Sequence, residues 1–380
     1  MIKLVTTRPK EKALLAGVSL GRAGKNGDSA ESLAELGALA TSAGAIVVGR
    51  VSQRRAAPDA AYFIGRGKAE EIKANAQESS ANVIIFDDEL TGAQVANLQE
   101  LTGVRTIDRT DLILDIFAQR AKTREAKTQV ELAQLEYLLP RLAGRWSHLE
   151  RQVGGIGTRG PGETQLETDR RQVRHKIVHL KKVLKEIDHQ RAVQHKKRSE
   201  VYRVSLVGYT NAGKSSLFNG LTRSQAKVED RLFSTLDSTT RVLKFPYFPK
   251  VILTDTVGFI KKLPTHLVAS FRSTLSEAAE SDLLLHVVDF SRPDFRENIA
   301  AVQAILASLK ADKIPTILVL NKIDRLEAPI SFEDKNGFWG VALVSAAKGT
   351  GVLALTNQIE AFLRWSAQNQ NGRTARPAAS

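Results

Sequence analysis

Gly208-Tyr209-Thr210-Asn211-Ala212-Gly213-Lys214-Ser215, followed by Ser216, is a glycine-bracketed run that ends in a lysine and a hydroxyl. These residue types at this spacing build a cradle for phosphates. The glycines let backbone N–H groups turn toward an anion, Lys214 can reach β- and γ-oxygens, and the Ser215 hydroxyl can ligate Mg²⁺. The flanks agree: residues 201–207 read as a buried strand entering the loop, and residues 216–221 as a helix whose N-terminal dipole faces the anion. A Gly-rich turn without a ligand is the alternative, and it leaves the match in both pattern and context unexplained.

Further motifs follow in the order a nucleotide switch requires. Asp255-Thr256-Val257-Gly258 ends an apolar run, where the carboxylate can hold Mg²⁺ through water and the Gly258 amide can sense a γ-phosphate. Asn321-Lys322-Ile323-Asp324 follows another strand-like run. The Asp324 carboxylate can accept the N1 and N2 hydrogens of guanine, a donor pair adenine lacks, so the expected ligand is GTP. Ser345-Ala346-Ala347-Lys348 would close over the guanine O6 with a backbone amide. Between the first helix and the second strand, Phe233-Ser234-Thr235-Leu236-Asp237 has the place of a switch loop. Thr235 is the expected Mg²⁺ ligand beside Ser215, with Thr239 and Thr240 open as alternatives. Phe259 stands where many small GTPases carry a water-orienting glutamine, and an apolar side chain cannot polarise water. Hydrolysis is therefore expected to be slow alone and faster with a partner.

At 380 residues the chain is long enough for two or three domains. Its net charge of +14 points to a polyanionic partner. The absence of cysteine excludes disulfides, thiolate metal sites and a cysteine nucleophile. No apolar run is long enough to span a bilayer, and the first ten residues lack the apolar core of a secretory signal, so a cytoplasmic protein is expected.

The expected fold class is α/β: a doubly wound P-loop GTPase domain, an N-terminal α/β domain and an antiparallel helical hairpin. The N-terminal domain is placed at residues 1–115 and the hairpin at 116–200. The GTPase domain follows at 201–365, with a disordered tail at 366–380. Through Asp115 the charges nearly balance, 14 Lys and Arg against 15 Asp and Glu, whereas residues 116–200 carry 19 against 10. Leu132, Leu135, Leu139 and Leu142, and again Ile177, Leu180, Leu184 and Ile187, repeat at helical spacing and predict two facing seams. Between them, residues 151–164 hold five glycines. Such a tip packs no core and lets backbone approach a phosphate-rich surface. A plain flexible connector is the competing reading. Arg145, Arg151, Gly154, Gly155, Gly157, Arg159, Gly160 and Gly162 are the candidate RNA contacts.

The nucleotide motifs, joined to Gly-Gly-Ile-Gly-Thr-Arg-Gly-Pro-Gly-Glu-Thr-Gln-Leu-Glu-Thr-Asp-Arg-Arg at 154–171, resemble the HflX family of translational GTPases over residues 1 to about 365. The resemblance implies a ribosome-binding GTPase whose N-terminal and helical regions approach the peptidyl-transferase centre of the large subunit. It also implies a role in splitting or rescuing stalled ribosomes under stress. Asn211 resembles the asparagine with which related GTPases hold K⁺ beside the β/γ-phosphates. The expected partners are GTP or GDP, the large subunit and its rRNA, with the chain acting as a monomer. A regulatory GTPase whose hairpin binds proteins is the alternative.

Overall fold

A computed structural model describes residues 10–20, 26–142, 161–196, 201–223, 232–233, 237–246, 248–262, 277–326, 332 and 337–374. The chain forms two compact units, residues 1–187 with 264–270, and residues 188–263 with 271–380.

In the first unit, β1 (Lys12–Leu20), β2 (Ile46–Arg55), β3 (Val83–Phe86) and β4 (Arg105–Asp108) form a parallel sheet in the order β2-β1-β3-β4. The crossovers are α1 (Asn26–Ser42), α2 (Arg66–Glu78) and α3 (Gly92–Thr102). Every residue of Val83–Phe86 is buried, as a parallel strand covered on both faces requires. The apolar runs at 45–48 and 82–86, which read as buried strands in the sequence, fall at β2 and β3. The Gly-x-Gly at Gly65 and Gly67 opens α2 as a turn, Gly65 being its N-cap.

Helix α4 (Arg109–Arg120) starts on an Asp108 cap and buries Leu112, Ile113, Leu114, Ile116 and Phe117. A boundary at residue 115 would cut this helix, so the helical segment is continuous with the N-terminal core. Helix α5 (Arg124–Leu138) gives way at Pro140 to a 3₁₀ turn, Leu139–Arg141. Arg141 folds back, its Nη2 donating to the Leu90 carbonyl at 2.8 Å and to Asp108 Oδ2 at 3.2 Å. Helix α6 spans Pro161–Lys196. The two predicted seams meet: Leu132, Ile177 and Leu180 form one buried cluster, with Leu135, Leu139, Val173 and Leu184 against it. Lys176–Glu131 and Lys181–Glu136 pairs flank the seam at 2.5 and 2.7 Å.

The second unit contains a six-stranded sheet in the order β10-β9-β8-β5-β7-β6. Its strands are β5 (Tyr202–Gly208), β6 (Thr239–Phe245), β7 (Phe248–Asp255), β8 (Leu283–Asp289), β9 (Thr316–Asn321) and β10 (Gly340–Leu343). All neighbours are parallel except β6, which runs antiparallel to β7. Its described helices include α7 (Lys214–Thr222), α8 (Phe295–Ser308) and α9 (Val352–Thr374). Strand β6 was hidden in the sequence because only Leu243 and Phe245 of its seven residues are buried and it borders the switch segment.

Helix α9 runs nine residues beyond the expected domain end at 365, so the tail expected from 366 begins as helix. Trp365 at that point packs on Trp339 with ring centroids 4.6 Å apart, and Asn369 Nδ2 donates to the Trp365 carbonyl at 3.0 Å. Among the described residues no helix is long and apolar enough to cross a membrane.

Candidate nucleotide site

The loop 208–213 lies where β5 ends, with β7 on one side and β8 on the other, and it runs into the N-terminus of α7. This is the switch point of a doubly wound sheet, where ligands bind beyond the carboxyl ends of the strands. Gly213 caps α7 with φ +93°, and a Cβ there would overlap the Asn321 side chain, so glycine is required on two grounds. Asn211 also has positive φ, which asparagine tolerates better than most residues.

Lys214 is 7% exposed. Its Nζ donates to the carbonyls of Tyr209 and Gly208 at 2.8 and 3.1 Å. Burial pushes the ammonium down to about 8, with Asp255 opposing. The Ser215 hydroxyl donates to Asp255 Oδ2 at 2.6 Å, which puts two hard oxygen donors side by side, the chemistry a Mg²⁺ ion takes. Thr210 Oγ1 is buried and has no partner among the described residues. It can therefore bond an oxyanion held in the loop. Thr256 is buried, its hydroxyl donating to the Leu206 carbonyl at 2.6 Å, which anchors the Asp255–Gly258 turn to β5.

The base-side motifs form one linked set. Asn321 Nδ2 donates to the Ala212 carbonyl at 2.8 Å while its Oδ1 accepts from Ala346 N at 3.0 Å. Asn321 thus joins the phosphate loop to the 345–348 loop and positions both. The Ser345 hydroxyl donates to Asp324 Oδ1 at 2.6 Å and accepts from Lys348 N at 3.2 Å. That hydroxyl, against burial and with help from Lys348 and Arg325, holds the Asp324 carboxyl below its ordinary range. Asp324 stays an ionised acceptor, as guanine recognition demands. Lys322 has positive φ, and its Nζ lies 2.7 Å from Asp289 Oδ2.

Phe259 is 1% exposed and takes part in a parallel bridge with Tyr209. Phe233 is also buried, and Asp237 is described, but Ser234, Thr235 and Leu236 lie outside the described residues. Thr239 and Thr240 are not loop residues: they belong to β6, opposite Asp255 and Thr254, because the antiparallel ladder holds them. Of the RNA-contact candidates, Arg145, Arg151, Gly154, Gly155, Gly157, Arg159 and Gly160 lie outside the described residues, and Gly162 falls in the first turn of α6.

Four polar residues near the site had no motif to announce them. Asp289 pairs with Lys322, and Lys261 pairs with Asp294 at 3.4 Å. His286, buried in β8, is pushed down to about 3 by burial and by the Lys214 charge, so it is neutral at pH 7.

Three sequence families match the chain. Residues 30–118 match one described as "GTP-binding GTPase N-terminal", 120–198 one described as "GTP-binding GTPase Middle Region", and 203–322 one described as "50S ribosome-binding GTPase". A protein named GTPase HflX from Flavobacterium psychrophilum is 55% identical over 77% of this chain and 71% of its own length. Namesakes from Caldanaerobacter subterraneus and Escherichia coli are 47% and 48% identical. They cover 93% and 85% of this chain, and 81% and 76% of their own lengths. Among solved structures, one described as SsGBP in complex with GDP is 26% identical, covers 92% of this chain and 97% of that one, and superimposes with a TM-score of 0.52. Motifs, linked geometry and relatives over most of its length agree: the chain belongs to the HflX family of GTPases.

Proposed function

We propose that this GTPase binds the large ribosomal subunit and uses GTP binding and hydrolysis to split, rescue or recycle stalled ribosomes under stress, working as a cytoplasmic monomer. The observation that carries the reading is the match of residues 203–322 to a family described as 50S ribosome-binding GTPases. The localised basic charge of residues 116–200 supports it, because such a surface suits RNA backbone.

In this reading the amides of 208–216 and Lys214 hold the phosphates, and Asp324 holds the guanine edge with the 345–347 loop closing over it. The Gly258 amide meets the γ-phosphate. Ser215 and Thr235 would hold Mg²⁺ directly and Asp255 through water, and the ion, when bound, offsets charge on the β- and γ-oxygens. Asn211 would face K⁺ at the same phosphates; equal turnover in Na⁺ and K⁺ buffers would remove that part. Water attacks the γ-phosphorus, the bond to the β-γ bridging oxygen breaks, and GDP and phosphate leave. Because Phe259 offers water no hydrogen bond, turnover is slow alone and rises when the ribosome orders the switch segments. Rapid hydrolysis without ribosomes by both wild type and Phe259→Gln would refute this.

The test of the partner is co-sedimentation with purified large subunits. Protein loaded with a GTP analogue should pellet, and GDP-loaded protein or a chain lacking 154–162 should pellet much less. Equal pelleting in all three, or none in any, would overturn the ribosomal reading. Raising salt from 50 to 200 mM should weaken binding steeply.

A further inference from the structure

The segment after Asp255 is joined edge to edge with the phosphate loop. Thr210 N donates to the Phe259 carbonyl at 2.7 Å, and Phe259 N donates to the Gly208 carbonyl at 3.1 Å. The Tyr209 hydroxyl accepts from Lys261 N, so Tyr209 holds this segment by its side chain while its neighbours hold it by backbone. Phe259 and Ile260 within it are buried, and Lys261 Nζ reaches Asp294 at 3.4 Å, just before α8. Gly258 is pressed into the loop as a result. A Cβ on Gly258 would lie 2.8 Å from Thr210 Cγ2 and 2.9 Å from Lys214 Nζ. The Lys214 ammonium, in the same arrangement, points its hydrogen bonds at the loop's own carbonyls.

A γ-phosphate needs both Lys214 and the Gly258 backbone turned toward it, whereas a diphosphate makes no demand on Gly258. We propose that Tyr209 is a positioning residue that sets discrimination between nucleotides: its hydroxyl bond to Lys261, with the Tyr209–Phe259 bridge, holds a conformation that admits GDP and must open to admit GTP. The proposal rests on the assignment of GTP as ligand and is independent of the ribosomal role. A ligand that binds only the open form has its apparent affinity reduced by the fraction of molecules that are open. Removing one bond that holds the closed form raises that fraction.

The experiment compares wild type, Tyr209→Phe and Lys261→Ala as full chains, with affinities for GDP and for a non-hydrolysable GTP analogue read from fluorescent nucleotide titrations. Tyr209→Phe deletes only the hydroxyl. It should move the ratio of triphosphate to diphosphate affinity toward the triphosphate by about 3- to 10-fold, the weight of one hydrogen bond. Amide exchange at 259–261 should quicken alongside. Lys261→Ala, which cuts the ion pair to Asp294, should shift the ratio the same way by less. An unchanged ratio in Tyr209→Phe, a shift toward GDP, or equal losses for both nucleotides would overturn the proposal while leaving the GTP assignment intact. Wild type that binds neither nucleotide would overturn the GTP assignment and the proposal together.

Discussion

Asn321 donates its side-chain amide to the carbonyl of Ala212 at 2.8 Å, across 109 residues of sequence. With its Oδ1 on Ala346 N, this one side chain sets the spacing between the phosphate and base sides of the site. Asn321→Ala would leave a buried carbonyl and an amide without these partners, at a cost of about 1–3 kcal/mol. GDP affinity should fall about 10- to 100-fold by calorimetry, with little change in the preference for guanine over adenine. Unchanged GDP affinity would show that the two loops hold their places without it.

Lys214 sets a proton linkage. Its folded pKa of about 8 lies below the ordinary 10.5. Between those values the unfolded chain carries a proton that the folded chain has shed, so this group's contribution to stability rises with pH through that window. Bound phosphates reverse the shift by favouring the ammonium. GDP binding at pH 8.5 should therefore take up a fraction of a proton at Lys214, and the Lys214 contribution should shrink toward none as the pH falls well below 8. Calorimetry in buffers of different ionisation enthalpy measures this directly, and Lys214→Met should abolish the difference.

In the proposed site Asp324 faces the base. Asp324→Asn replaces an acceptor facing the N1 and N2 hydrogens with an amide, and should lower GTP affinity at least about 100-fold. Xanthosine triphosphate, which carries a carbonyl in place of the N2 amine, should bind the variant better than GTP does. Competition between the two nucleotides is the measurement, and retained GTP preference would remove Asp324 from the base site.

Arg109 is 2% exposed, its Nη1 2.7 Å from Asp87 Oδ1 and its Nη2 bonded to Glu35. Ser32 completes the network by donating to Asp87 Oδ2 at 2.5 Å. Arg109→Ala removes the cation that Asp87 and Glu35 both face in the N-terminal core and should cost about 3–5 kcal/mol. Hydrogen exchange at the β3 amides should accelerate accordingly, while amides of β5 and β8 should be unaffected. Uniform acceleration in both sheets would refute a local role.

The nucleotide motifs were legible because their chemistry is local in sequence. Gly208, Gly213, Lys214 and Ser215 share a single turn and the helix that follows, and Asp255 and Asp324 sit at or just past the ends of apolar runs whose strand character is plain. The helical seams were readable for the same reason, since Leu132, Ile177 and Leu180 repeat at helical spacing before any partner is known. Other features escaped. Strand β6 has a mostly exposed pattern that reads as loop until β7 supplies its ladder. Helix α4 runs through residue 115 with an unbroken apolar face, so composition marks no end to the N-terminal segment there.

By itself the amino-acid sequence determined the ligand class, the guanine preference and the family, all of which depend on residue types at short spacing. Tertiary structure alone decided that Asn321 is a tie between loops, that Tyr209 holds the segment after Asp255, and that Arg109 is buried between carboxylates. Those roles arise from hydrogen bonds and burial between residues distant in the chain, and such proximity exists only once the two sheets have formed.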